Sequence, residues 1–232
     1  MSPKPQMPSM QLRLVLFDVD DTLCDYAGAR ALRLRRAFAD ALVGRSVPNR
    51  EVDLEALVAE SIAIHPHGTD HFADLLSRYG VDSRDAIAGA RRWYQTNRFL
   101  GLELFPDAAE ILRLAQAGGR GVGLITNGPA EVQRAKLELL GLLDHVDFAL
   151  ISGELGVAKP DPAIFREGLR LGGVDAAEAL FVGDSPEFDI AGARASGIRS
   201  VWVNRTGGAW SDPIDPPDHE VTDLGSLRDF FR

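Results

Sequence analysis

Cysteine is nearly absent from the chain: Cys24 is the single one in 232 residues. No disulfide can close within the chain, and a reducing compartment fits that usage. Lysine is also scarce, present only as Lys4, Lys136 and Lys159. Basic side chains number 25 against 34 acidic ones, a formal charge of −9. No long basic run offsets this, which argues against a nucleic-acid polymer as partner. No apolar stretch approaches the ~20 residues that a membrane helix requires. Met1 to Gln11 holds three prolines and no apolar h-region, so a disordered lead-in is expected there, not a signal peptide. There is no internal repeat and no low-complexity tract. A cytoplasmic protein without a membrane partner, monomer or homodimer, is the expectation. The 45% hydrophobic content is ample for a packed core.

The chain is organised around Leu12 to Leu23, which pass abruptly from an apolar run to a cluster of acids. Leu14, Val15, Leu16 and Phe17 are apolar at successive positions, the pattern of a central parallel strand covered on both faces. Asp18, Asp20 and Asp21 therefore begin where a buried strand ends. In open α/β sheets, ligands bind at the carboxyl ends of strands where the strand order reverses. Carboxylates crowded at such a place repel one another unless a cation sits among them, and hard oxygen ligands suit Mg²⁺.

Beyond Leu23 helical spacing takes over until about Leu104. Leu34, Ala37, Phe38, Ala41 and Leu42 form one stripe, stopped by Gly44; Leu54, Leu57, Val58, Ser61 and Ile62 repeat it. Phe72, Leu75, Leu76 and Tyr79 make a third, ended by Gly80, and Ile87, Ala90 and Tyr94 suggest a fourth. The spacing predicts an all-helical insertion over residues 24–103, flanked by a core of residues 12–23 and 104–232. In that core, helices are predicted near 107–117, 131–140, 162–171 and 189–195. Strands are predicted at 122–125, 148–151, 179–182 and 200–203, and a short helix from Leu224. Strands alternating with helices of 10 to 12 residues imply right-handed βαβ units and a parallel sheet.

The chemistry gathers at strand ends. Thr126 offers a hydroxyl, with Asn127 and the Gly128 amide behind it, and Asp184 follows a fourth strand. Lys159 stands in a Gly-Val-Ala-Lys-Pro turn before a helix. Taken alone, Asp20 or Asp189 reads as a helix cap, Thr126-Asn127-Gly128 as a turn, and Lys159 as a solvated charge. Their joint occurrence at strand ends sets those readings aside.

Asp18-Val19-Asp20-Asp21-Thr22 after a hydrophobic strand, followed in order by Thr126, Lys159 and Gly183-Asp184, resembles the four motifs of the haloacid dehalogenase superfamily. The resemblance covers about Leu12 to Cys24 and Leu102 to Arg205. It implies a Rossmann-like α/β fold, a parallel sheet with an inserted all-helical cap of the type-one kind. It also implies a magnesium-dependent phosphatase in which Asp18 is the nucleophile that forms an aspartyl-phosphate. Asp20 would be the acid that protonates the leaving group and then activates water. Thr126, Asn127 and Lys159 would hold the phosphoryl group, Lys159 also offsetting the charge on Asp18. Mg²⁺ would be bound by Asp18, the Asp20 backbone carbonyl and Asp184, with Thr22, Gly128, Ser185 and Asp189 in support.

Within that family, Asp20 argues against the dehalogenases, which lack an acid two positions after the nucleophile. The absence of lysine between Lys4 and Lys136 argues against phosphonate cleavage through a cap Schiff base. Asp-Asp-Thr-Leu with Thr-Asn-Gly is similar to the branch that contains pyrimidine nucleotidases and N-acylneuraminate 9-phosphatases; these motifs report chemistry and not substrate, and a small phosphorylated metabolite is the expected partner. A phosphomutase of the same fold is the alternative, as is a non-catalytic phosphate-binding or signalling protein. In the insertion, Arg91, Arg92, Trp93 and Tyr94 could meet a base or sugar but read as a solvated helix face. His65, His67 and His71 could bind a metal but read as a loop and helix start.

Overall fold

Four apolar residues in succession form the first strand, β1 (Leu14–Phe17), and all four are buried. The protein is a computed structural model that describes residues 12–43, 50–64, 68–210 and 213–231. The expected lead-in at Met1–Gln11, the stop at Gly44, and His65 and His67 lie outside them. The chain divides into two compact units, one of them Tyr26–Glu103 and the other formed by the segments on either side of it.

In the flanking unit the chain runs on through α5 (Ala108–Ala117), β2 (Gly121–Thr126), α6 (Ala130–Leu139), β3 (Phe148–Ile151), a helical turn α7 (Ser152–Leu155), α8 (Pro162–Gly172), β4 (Ala179–Gly183), α9 (Ala191–Ala195), β5 (Arg199–Val203), β6 (His219–Val221) and α10 (Arg228–Phe231). The six strands make one parallel sheet in the order β3-β2-β1-β4-β5-β6. This is the parallel sheet that the alternating pattern predicted and the Rossmann-like α/β fold that the resemblance implied. β1 lies between β2 and β4, with Leu14 level with both Gly121 and Ala179. Chain order reverses direction across the sheet at β1, so the residues leaving β1 and β4 open into the crevice where such sheets bind ligands.

Small residues let the helices lie close on the sheet. A Cβ at Gly168 of α8 would stand 3.2 Å from Ile125 and 3.3 Å from Leu16, and one at Gly172 would stand 2.6 Å from Leu14. Asp161 begins α8 by accepting from Ala163 N (2.8 Å), with Pro162 at the first turn, and Gly173 ends it at φ 62°.

Two local differences from the sequence pattern have physical causes. The helix expected from Asp189 opens instead as a wide turn, Pro186–Ile190, and becomes α-helical only at Ala191. The amides of Asp189 and Ile190 both donate to Ser185 O (2.9 and 3.2 Å) while the Asp189 carboxylate turns back to Ser185 N. β6 was not foreseen because three residues after the proline-rich stretch that ends at Pro217 carry no alternation to read.

The Tyr26–Glu103 unit holds α1 (Tyr26–Ala41), α2 (Arg50–Ile64), α3 (Phe72–Arg78) and α4 (Arg84–Thr96), with no strand among its described residues. Its core gathers Leu34, Phe38, Leu57, Phe72, Leu76 and Tyr94, the stripes read from the sequence. Phe72 packs edge-on against Phe38 (4.8 Å) and Tyr94 (5.6 Å). The α2 stripe is rotated at its end: Ile62 is 39% exposed and Ser61 is buried, its hydroxyl 2.7 Å from His71 Nε2. Among the described residues, no helix is long and apolar enough to cross a membrane.

Candidate active site

Asp18 continues the ladder one residue past β1, its amide donating to Val182 O at 2.9 Å. Its side chain is 5% exposed. Next to it, β4 delivers Asp184 through Gly183. A Cβ at Gly183 would lie 2.4 Å from a carboxylate oxygen of Asp189, so glycine is what permits Asp189 to reach the strand end. Asp189 is buried and accepts from Ser185 N (3.0 Å). Lys159 joins the group, its Nζ 2.5 Å from Asp18 Oδ1 and 2.6 Å from Asp189 Oδ1. The backbone of Lys159 is itself fixed: its amide donates to Asn127 Oδ1, and its carbonyl accepts from Asn127 Nδ2, both at 2.9 Å. Asn127 thereby ties the end of β2 to the turn before α8.

Leaving β1, the chain folds back at once. Asp21 takes φ 59°, and the amides of Leu23 and Cys24 return to Val19 O (2.9 and 3.2 Å). This tight loop carries Asp20 away from the Asp18 cluster and presents it to α6. There Lys136 Nζ lies 2.6 and 2.5 Å from the two Asp20 oxygens. Gln133 Nε2 donates to Asp20 Oδ2 (3.3 Å), Thr126 Oγ1 (2.5 Å) and Asn127 O (3.1 Å). Thr22 turns the other way and donates to Asp184 Oδ1 (3.3 Å). Trp202 of β5 donates to Asp184 O (2.7 Å), and Arg205 donates to Thr22 O (3.0 Å). The Gly128 amide donates to Ser152 Oγ (2.9 Å).

Asp18, Lys159, Asp189 and Ser185 thus form one hydrogen-bonded group, the Thr22–Asp184 pair stands beside it, and Thr126 and Asp20 are joined to each other through Gln133. Contributors missed by the sequence reading include Gln133, Lys136, Trp202 and Arg205. A signal existed for two of them. Gln133 and Lys136 stand three apart on the face of α6 that also buries Leu137, and polar residues on a buried face are the informative exception. Trp202 and Arg205 had none. In the helical unit, Arg91 donates to the carbonyls of Thr69 (3.2 Å) and Asp70 (2.5 Å), so it ties a loop instead of standing free in solvent.

Burial sets the electrostatics. Desolvation pushes the Asp18 carboxyl up to about 7; Lys159 opposes this, while Asp189 and Asp20 add to it. Desolvation followed by repulsion from Asp18, Asp189 and Asp21 pushes Asp184 up to about 9. Burial alone would lower the Lys159 ammonium, but the two carboxylates against it more than reverse that and raise it. Oxygens of Asp18, Asp184 and Asp189 lie within 4.8 Å of one another, the one group of three or more such ligands found among the described residues. Lys159 supplies a single positive charge to three acids. The remaining negative charge and the all-oxygen donor set fit a hard divalent cation.

A Rossmann-like sheet with buried acids, a lysine and a hydroxyl at its carboxyl edge is the arrangement that the four motifs implied. The family model for haloacid dehalogenase-like hydrolases matches residues 12–197, and the chain belongs to that family, as its four motifs implied. It is 34% identical over 235 residues to a glyceraldehyde 3-phosphate phosphatase of Methanopyrus kandleri, covering 95% of this chain and 97% of that protein. It is 46% identical over 128 residues to a phosphoserine phosphatase of Thermus thermophilus, a match of 55% of this chain that spans only 50% of that protein's length. Among solved structures, a 2-haloacid dehalogenase of Pseudomonas syringae is similar at TM-score 0.60 and 33% identity, with 94% of this chain and 97% of that one covered. The protein is a hydrolase of phosphoric monoesters.

Proposed function

We propose that the protein hydrolyses small phosphorylated metabolites, sugar phosphates or nucleotides, through an aspartyl-phosphate formed on Asp18, with Mg²⁺ as cofactor. The observation that carries this reading is the buried Asp18–Lys159–Asp189 chain at the β1 end, with Asp184 beside it. Asp18 Oδ attacks phosphorus, the bond to the leaving oxygen breaks, and Asp20 gives that oxygen a proton. Asp20 then takes a proton from water, whose oxygen attacks phosphorus and frees Asp18. Thr126, Asn127 and Lys159 supply donors to the phosphoryl oxygens, and Asn127 keeps Lys159 in register for this. Asp18, the Asp20 carbonyl and Asp184 would hold Mg²⁺, with Asp189 orienting Lys159. When bound, the ion offsets the charge of the phosphoryl oxygens and of the acids around it. Asp20 separates this reading from dehalogenation, where no leaving oxygen needs a proton. We assign substrate selection to the inserted unit Tyr26–Glu103, as a cap of the type-one kind.

The test is phosphate release from a panel of nucleoside monophosphates, sugar phosphates and an aryl phosphate. Release concentrated on one class and lowered at least ~100-fold by chelator is expected, a loss that corresponds to several kcal/mol of transition-state stabilisation. No release from any member of the panel with Mg²⁺ present would refute the reading.

A pH dependence follows from the raised carboxyls. Both hold their proton in the fold to a higher pH than when unfolded, where the value is ~3.9. Their contribution to stability is fully present below about pH 4 and is lost as pH rises through about 7 for Asp18 and about 9 for Asp184. The melting temperature of chelator-treated protein should therefore fall from pH 6 to pH 9. Added Mg²⁺ should raise it by ~5 °C more at pH 8.5 than at pH 6, where protons compete for the same oxygens. A Mg²⁺ effect independent of pH would count against these carboxylates as ligands.

A further inference from the structure

Two polar side chains on α6 have no part in the scheme above, yet both contact Asp20. Lys136 is 2% exposed and Gln133 is 2% exposed. They stand three residues apart, so one helix face carries both. Burying an ammonium costs free energy that an apolar residue at this position would avoid. Lys136 contacts both oxygens of Asp20, at 2.6 and 2.5 Å, which fixes the plane of the carboxyl and not merely its distance. Gln133 adds a third contact at 3.3 Å and is itself held by Thr126 Oγ1 and Asn127 O. The orientation of Asp20 is therefore referred to the end of β2, where the phosphoryl-binding residues stand.

We propose that Lys136 and Gln133 are positioning residues that aim the Asp20 carboxyl at the leaving oxygen. The inference rests on the reading of Asp20 as the proton donor. In the first step the bond from Asp18 Oδ to phosphorus forms, the bond from phosphorus to the leaving oxygen breaks with its electron pair on that oxygen, and the proton of Asp20 moves to it. The benefit scales with how much the leaving group needs the proton. An alkoxide needs it fully, whereas 4-nitrophenolate departs unaided.

The test compares kcat/KM, which reports the steps through the first irreversible one, for an alkyl phosphate and for 4-nitrophenyl phosphate with Mg²⁺ saturating. Lys136→Met is expected to lower the alkyl value ~100-fold and the aryl value less than ~5-fold. Gln133→Leu should change the same ratio ~5-fold in the same direction, and it carries the test should Lys136→Met fail to fold by circular dichroism. Lys136→Arg should restore part of the ratio. Asp20→Asn gives the reference: a loss confined to the alkyl substrate supports its role as donor. Equal losses on both substrates in Asp20→Asn would overturn the donor reading and this inference with it. A selective loss in Asp20→Asn with equal losses, or none, in Lys136→Met and Gln133→Leu would overturn the positioning role alone.

Discussion

Asp18→Asn is expected to lower phosphate release at least ~10⁴-fold while leaving the fold intact. The size follows from the role: an amide in place of the carboxylate removes the attacking atom, and the fixed donors around it retain only what binding and orientation supply. The fold should survive because the substitution is close to isosteric and removes a charge that burial already disfavours, as the rise of Asp18 to about 7 records. Lys159 keeps Asp189 at 2.6 Å as a partner. Steady-state phosphate release and a thermal melt check both parts. Full activity in Asp18→Asn would end the covalent mechanism. Lost activity accompanied by loss of the cooperative melt would leave the residue's role structural.

Lys159→Met should cost both catalysis and stability. The methionine matches the lysine stem, so what is lost is the ammonium and its two hydrogen bonds. Asp18 and Asp189 then face one another in a buried site with no cation, a situation that costs ~3–5 kcal/mol when one partner of a buried pair is removed. At ~2–4 °C per kcal/mol for a chain of this size, the melting temperature should fall by ~10 °C near neutral pH. The Lys159 ammonium is raised in the fold. Its stabilisation is therefore present throughout the range below its unfolded value of ~10.4 and should be lost only above that. In the variant the loss should shrink toward pH 5, where the raised Asp18 carboxyl takes up a proton. Adding Asp18→Asn to Lys159→Met should recover part of the melting temperature, because it removes one of the two opposed charges. Additive losses in the double variant would show that Lys159 does not act on Asp18 through charge. Turnover should fall by a further measure, ~10²-fold or more, because a fixed donor to the phosphoryl oxygens is gone.

Much of the core was legible because its signals are local. Leu14–Phe17 are apolar on both faces, and the structure places them between two parallel neighbours. Phe148–Ile151 and the start of α8 at Pro162 fall where periodicity and capping put them. The helical stripes of the insertion pack with each other as read, save the rotated end of α2 at Ser61 and Ile62. The wide turn at Pro186–Ile190 was not legible, since the Asp189 carboxylate that closes it on Ser185 is also held from outside the turn by Lys159.

What the sequence determined by itself is the class of the fold and the places along the chain where candidate acids, a hydroxyl and a lysine follow strands or precede a helix. Alternation against helical spacing dictates parallel βαβ units, and abrupt passages from apolar runs to Asp18, Thr126 and Asp184 mark where strands end. Partnership was decided only in three dimensions. Lys159 reaches Asp18 and Asp189 across 141 and 30 residues, and Lys136 reaches Asp20 across 116. The separation of the two acids, one bound to Lys159 and the other to Lys136, depends on the backward fold at Asp21. Such pairings depend on which strand lies beside which and how far each side chain is desolvated. Neither quantity is a property of any short stretch of chain, so the same acids and lysines acquire their distinct environments only when the sheet is assembled.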